Sequence, residues 1–173
     1  ATDIDGTLTM STGTYDANGA FDATGGNVTF TGAGQLNIAG TVTDLGTFTE
    51  STGKVVLDGS SSQTLPDDET FFNLQVSNSA GVGLADNVDV TVNGTLTLGN
   101  GDITVEVVPL GTTESLTVIS STAGGSNSGH IVGPVKYNSS STTECQLDVG
   151  DGTEWHPVKI QAVSGTATVY TTT

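Results

Sequence analysis

The chain has 173 residues, which is enough for one large or two small domains with a substantial core. Its 24 glycines, 31 threonines and 16 serines favour strands and turns over helices. Three lysines, no arginine and 19 carboxylates give a formal charge of -16, which excludes recognition of nucleic acid by phosphate neutralisation and electrostatic docking on an anionic membrane. No apolar run reaches the roughly 20 residues of a spanning helix, so membrane insertion by a helix is not expected.

Along the chain, apolar residues alternate with polar ones at Leu8 and Met10, Val28 and Phe30, Leu36 and Ile38, Val55 and Leu57, Leu74 and Val76, then Val88, Val90 and Val92, and Leu96 and Leu98. Period two is the signature of strands with one buried face. Between these segments lie Gly25-Gly26-Asn27, Gly32-Ala33-Gly34, Asp58-Gly59-Ser60 and Gly99-Asn100-Gly101, all of them turn chemistry. A phrase Gly-Thr-apolar-Thr recurs at Gly6, Gly40, Gly46, Gly94 and Gly165, at spacings too irregular for a strict repeat. The pattern predicts an all-β chain whose residues 1–110 form a β-solenoid or β-helix-like domain; a β-sandwich is the alternative served by the same alternation. Beyond Pro109 the texture changes. Strand candidates at 116–119, 131–137, 145–149, 158–163 and 166–170, joined by short loops, predict a smaller antiparallel β unit over 111–173.

Several phrases carry a family resemblance. Gly25-Gly26-Asn27-Val28-Thr29-Phe30, then Gly53-Lys54-Val55-Val56-Leu57-Asp58-Gly59-Ser60, Gln63-Thr64-Leu65, Phe72-Asn73-Leu74-Gln75-Val76 and the stretch from Gly94 to Ile103 resemble the repeated β-rich modules of large secreted bacterial surface and adhesin-like proteins. Gly129-His130-Ile131-Val132-Gly133-Pro134-Val135-Lys136, with Leu147-Asp148-Val149-Gly150-Asp151-Gly152 and Trp155-His156-Pro157-Val158, is similar to a module of secreted Bacteroidota-type proteins. Cys145 and Gln146 depart from that pattern, where an aromatic or apolar strand is usual, and Trp155-His156 replaces the usual Tyr-Arg. The resemblance implies an exported structural or adhesive protein and carries over no catalytic residue. A chain opening at Ala1, with neither an initiator Met nor a basic and apolar leader, fits the same expectation of an exported chain after signal removal.

Residues able to carry chemistry are few. His130 and His156 are the only imidazoles and lie in no metal-ligand motif. The run Asp67-Asp68-Glu69 after Pro66 reads as a solvated, turn-capping loop. Asp148, Asp151 and Glu154 frame a tight loop whose oxygens could face a Ca2+ ion, but the spacing matches no known calcium repeat. The lone Trp155, with Tyr15, Tyr137 and Tyr170, makes a sparse set for stacking on sugars, and Cys145 reads as a small buried hydrophobe in a strand. Asn27, Asn93 and Asn138 open glycosylation triplets, while Ser139 to Thr143 and Thr171 to Thr173 offer hydroxyls to O-linked sugars. No catalytic, cofactor-binding or metal-binding residue is assigned, and no cofactor is expected.

The expectation is a non-enzymatic extracellular or cell-surface structural protein, either the subunit of a self-assembling filament or a module of an adhesive stalk. Its partners would be copies of itself through the terminal strands 2–10 and 165–171, with surface glycans as further partners. A glycan-binding module is the alternative, followed by a carbohydrate-active β-helix enzyme.

Overall fold

The computed structural model describes residues 1–106, 114–139, 144–161 and 165–169, with residues 139 and 165–169 as backbone. It is a β-solenoid of about seven turns, with no helix among the described residues. The first coil carries β1 (Thr2–Asp3), β2 (Thr7–Met10) and β3 (Thr14–Ala17), and the second β4 (Phe21–Asp22), β5 (Asn27–Phe30) and β6 (Gln35–Ile38). The third has β7 (Val42–Asp44), β8 (Thr47–Thr49) and β9 (Lys54–Leu57), and the fourth β10 (Gln63–Leu65), β11 (Glu69–Phe71) and β12 (Asn73–Val76). The fifth has β13 (Val82–Leu84), β14 (Asp89–Val92) and β15 (Thr95–Leu98), and the sixth β16 (Ile103–Thr104), β17 (Ser115–Val118) and β18 (Ser121–Ala123). The seventh has β19 (Ile131–Val132), β20 (Val135–Ser139) and β21 (Glu144–Leu147); β22 (Val149–Gly150), β23 (Val158–Gln161) and β24 (Gly165–Val169) complete the chain.

Equivalent strands stack in parallel to make three faces. Face one holds β1-β4-β7 and then β10-β13-β16-β19-β22; face two holds β2-β5-β8 and then β11-β14-β17-β20; face three runs unbroken through β3-β6-β9-β12-β15-β18. Gln35, Lys54 and Asn73 stand opposite one another, so a coil takes about 20 residues. Parallel pairing on every face rules out the sandwich, whose sheets are antiparallel.

Alternation builds the core. Leu36, Val55, Leu74 and Leu96 form one inward column of face three, and Ile38, Leu57, Val76 and Leu98 form the next; all are buried. Their neighbours Asn37, Gln75 and Thr97 point outward, as the strand period of two requires. On face two Thr9, Thr29 and Thr49 line up in an outward threonine row.

The parallel stack does not end near residue 110, which itself lies outside the described residues. β17, β18, β19, β20 and β22 all add in parallel to the strands before them. Among the described residues, antiparallel strand pairs are β21 with β23 and β20 with β24, joined by isolated bridges at Ser126–Gly129 and Gly150–Trp155, a smaller unit than the one expected over 111–173. The reason is local: strands 131–137 and 145–149 place Ile131, Val135 and Val149 over the columns already begun, so they continue the same core. Both terminal strands pair within the chain, β1 with β4 and β24 with β20, rather than leaving it.

Candidate functional site

The residues singled out by sequence gather in two places. At the end of the stack, Asp148 precedes β22 and is 1% exposed. Its Oδ1 accepts from Gln146 Nε2 at 2.8 Å and Trp155 Nε1 at 3.2 Å; its Oδ2 accepts from Gly125 N at 3.3 Å and lies 2.9 Å from Thr122 Oγ1. A Cβ on Gly125 would collide with the Asp148 carboxyl, so only glycine lets this backbone approach. Asp148 is thus an internal hydrogen-bond hub.

Asp151 faces its own loop instead. Its Oδ1 accepts from Thr153 N at 2.9 Å, Thr153 Oγ1 at 2.7 Å and Glu154 N at 2.8 Å, and these donors hold the carboxyl well below the usual carboxylate range. Exposed His156 hovers at 3.7 Å from Asp151 and 3.9 Å from Glu154. The acids expected to share a loop therefore diverge, and no group of three metal-binding side chains converges among the described residues.

His130 is fully buried. Its Nε2 accepts from Gly152 N at 3.2 Å, which assigns the proton of the neutral ring to Nδ1; that nitrogen lies 3.1 Å from Ser126 O and 3.3 Å from Asp102 Oδ1. Asp102 Oδ1 also accepts from His130 N at 3.0 Å. Ser126 meets the ring through its carbonyl, while its hydroxyl accepts from Ser128 N, so the contact is structural and not that of a nucleophile with its base. Gly150 packs against the imidazole face, where a Cβ would clash.

The second place is the run Asp67-Asp68-Glu69, and here the solvated-loop expectation holds only in part. Asp68 Oδ1 caps Asp89 N at 2.7 Å. Glu69, however, begins β11 at an inward register position, opposite buried Val90. Burial, reinforced by Asp67 and Asp44, pushes its carboxyl up to about 7. Beside it opens a cleft of about 480 Å³ lined by Gly46, Phe48, Thr49, Glu50, Asp68 and Thr70. The alternation of Glu69 with Phe71 was the available signal; the acidic run obscured it.

Among the described residues, Trp155, Tyr15 and Tyr137 do not assemble into a platform. Tyr137 is buried in β20, Tyr15 packs on the core, the Trp155 indole N–H is engaged by Asp148, and Tyr170 lies outside the described residues. Cys145 is 5% exposed and its Sγ lies 3.1 Å from Ser120 O. Of the glycosylation triplets, Asn27 Nδ2 reaches Thr7 Oγ1 at 3.4 Å, Asn93 Nδ2 donates to Glu50 Oε1 at 2.8 Å, and Asn138 is exposed. The hydroxyl runs 140–143 and 171–173 lie outside the described residues.

No protein-family model matches the chain, and neither the curated proteins nor the solved structures contain a match to it.

Proposed function

We propose that the chain is a non-enzymatic extracellular structural protein, the subunit of a self-assembling surface filament or, where further coils are covalently continuous with it, a module of an adhesive stalk. The observation that carries this reading is the open edge at each end of the stack. β1, β2 and β3 each pair on one side only, and so do β22, β23 and β24. Unpaired strand edges are templates for another chain. Because the two ends differ, an end-to-end contact is heterologous, and repeated along the stacking axis it extends as a fibre instead of closing into a ring.

The remaining architecture suits that role. The face-three ladder, unbroken from β3 to β18, resists extension along the axis, an outward threonine row lines face two, and a charge of -16 opposes lateral clumping.

Gly6 O accepts from Asn27 N and Met10 O from Thr31 N, so by the alternation of a parallel ladder Thr7 and Thr9 direct their N–H groups to the open side. Thr9→Pro removes a donor from that edge and none from the chain's own ladder. Sedimentation and electron microscopy of the parent should show end-to-end polymers, and Thr9→Pro should shift them to monomers of unchanged melting temperature. A parent that stays monomeric at high concentration overturns the filament reading and leaves the stalk module; saturable sugar binding would favour a glycan-binding module.

A further inference from the structure

The ladders of faces one and two both stop between the third and fourth coils, whereas face three passes through. There Lys54–Leu57 and Asn73–Val76 stand in full register, extended by Asn73 N to Gly53 O at 3.2 Å and Ser77 N to Leu57 O at 2.8 Å. Among the described residues no backbone hydrogen bond joins β7 to β10 or β8 to β11. The backbone ladder joins the two stacks along a single face, the layout of a hinge, and across the other two the links are side chains: Gln63 to Ile38 and Gly40, Asn93 Nδ2 to Glu50 Oε1 at 2.8 Å, and Phe48 against Phe71.

On each interrupted face one inward position beside the seam is polar where those above it are apolar, while Leu65 and Phe71 keep the apolar pattern. Gln63 heads the column Val82, Ile103, Ile131 and Val149; Glu69 heads the column Val90, Leu116 and Val135. Gln63 is neutral, and its amide crosses the seam to Ile38 O at 2.9 Å and Gly40 O at 2.7 Å. Glu69 makes no such crossing. The charges bearing on it are Asp44 of β7, and Asp67 and Asp68 on its own turn; across the cleft stands Glu50, whose Oε2 is buried without a partner.

An inserted strand does not fit this gap. Phe48 and Phe71 meet across it with ring centroids 5.4 Å apart, while a strand between β8 and β11 would hold them about 9–10 Å apart. The seam is therefore governed by its own residues.

We propose that this seam is a proton-gated hinge: with Glu69 uncharged the third and fourth coils close on face two, and with Glu69 charged face two opens about the β9–β12 ladder. A half-buried carboxylate facing like charges gains solvation and loses repulsion when the seam opens, and only protonation makes the closed position comfortable. The upward displacement of the Glu69 carboxyl to about 7 places that change close to neutrality. The hinge belongs to the single chain and does not depend on polymer formation.

Residue-resolved hydrogen exchange of dilute monomer, corrected for intrinsic rates, tests it at about pH 5.5 and about pH 8.5, on either side of the Glu69 value. In the parent, protection over 47–49 and 69–71 should fall about tenfold at the higher pH while 54–57 and 73–76 keep theirs. In Glu69→Gln the seam should stay protected at both. Equal protection at both pH values in the parent, or the same loss in Glu69→Gln, overturns the proposal. If Glu69→Gln does not fold, the side-chain carbon resonance of Glu69 in the parent decides. Its titration must coincide with the loss of seam protection, and a midpoint in the ordinary carboxylate range overturns the hinge.

Discussion

The side-chain amide of Asn78 donates to Oε1 of Gln63 at 2.9 Å, and both residues are buried at the corner where face three passes into face one. Gln63 Oε1 also accepts from Gly59 N at 3.2 Å, and Asn78 gives its second hydrogen to Ser61 O at 2.7 Å and accepts from Ala80 N at 2.9 Å. With the two bonds from Gln63 Nε2 to Ile38 and Gly40, the pair replaces the ladder that face one lacks between β7 and β10. Gln63→Leu leaves Gly40 O, Gly59 N–H and one Asn78 amide hydrogen without their partner, while Ile38 O keeps its bond from Asp58 N, and we expect a loss of about 2–4 kcal/mol in urea unfolding. Combined with Asn78→Leu, a double-mutant cycle should give a coupling of about 1 kcal/mol or more; strict additivity would show that the amides act separately.

Leu57→Asp should prevent folding. Leu57 is fully buried in an inward column of the one continuous face, and an unpaired carboxylate there costs several kcal/mol against a total stability of about 5–15. Thr95→Ser, at a half-buried position of β15, should unfold within about 0.5–1 kcal/mol of the parent. A native-like melt for Leu57→Asp would contradict the placement of β9.

Calcium should not contribute to stability through the 148–154 loop. Asp148 spends its oxygens on Thr122, Gly125, Gln146 and Trp155, so Asp148→Ala is expected to cost about 2–4 kcal/mol with or without the ion. Thermal melts in chelator and in excess Ca2+ should coincide; a large Ca2+-dependent rise in melting temperature would return Asp148, Asp151 and Glu154 to the role of ligands.

Stability should fall as pH rises from about 4.5 to about 7. In that window Glu69 holds its proton in the native state but not in the unfolded chain, so the native state binds more protons and loses ground as they leave. Asp58, raised by burial and by Asp16, acts in the same direction. Asp22, lowered by the Thr24 hydroxyl and N–H, and Asp151, lowered by Glu154 and Thr153, act oppositely: they stabilise above the ordinary aspartate range and lose this as pH falls. Glu69→Gln should flatten the upper window in melts across pH. If the slope persists unchanged, Glu69 is not its source.

Cys145 should be inert in the native protein. Burial pushes its thiol up, and its Sγ is held against Ser120 O. A thiol reagent should label it at the rate of unfolding, with full labelling in denaturant. Rapid stoichiometric labelling without denaturant would show that β21 is open to solvent.

Much of the fold was legible because inward and outward residues alternate, Val56 being an apolar exception in the outward row: Leu36 with Ile38, Val55 with Leu57 and Leu74 with Val76 name the core of face three directly. The coil length was not legible from the recurring Gly-Thr phrase, since Gly6 and Gly46 introduce strands of face two, Gly40 a strand of face one, and Gly94 one of face three. A phrase that marks strand entry on any face has no fixed period. The antiparallel unit was placed too early because short loops suit hairpins and coil corners equally. His130 and Asp148 were visible as residues, but their partners Gly152, Ser126, Thr122 and Gly125 come from loops more than 20 residues away or from turns whose geometry no spacing encodes. Glu69 was hidden by its acidic neighbours.

The reversal of β23 and β24 has a consequence at the scale of an assembly. Stacking a copy's β1, β2 and β3 on β22, β24 and β23 would make the first pairing parallel and the other two antiparallel. On faces two and three strand direction would then reverse twice per subunit, once inside the chain where β24 and β23 add to β20 and β21, and again at the junction. Such a fibre would carry a built-in ruler, one pair of reversals per subunit, readable as an axial repeat in averaged images and absent from an all-parallel stack.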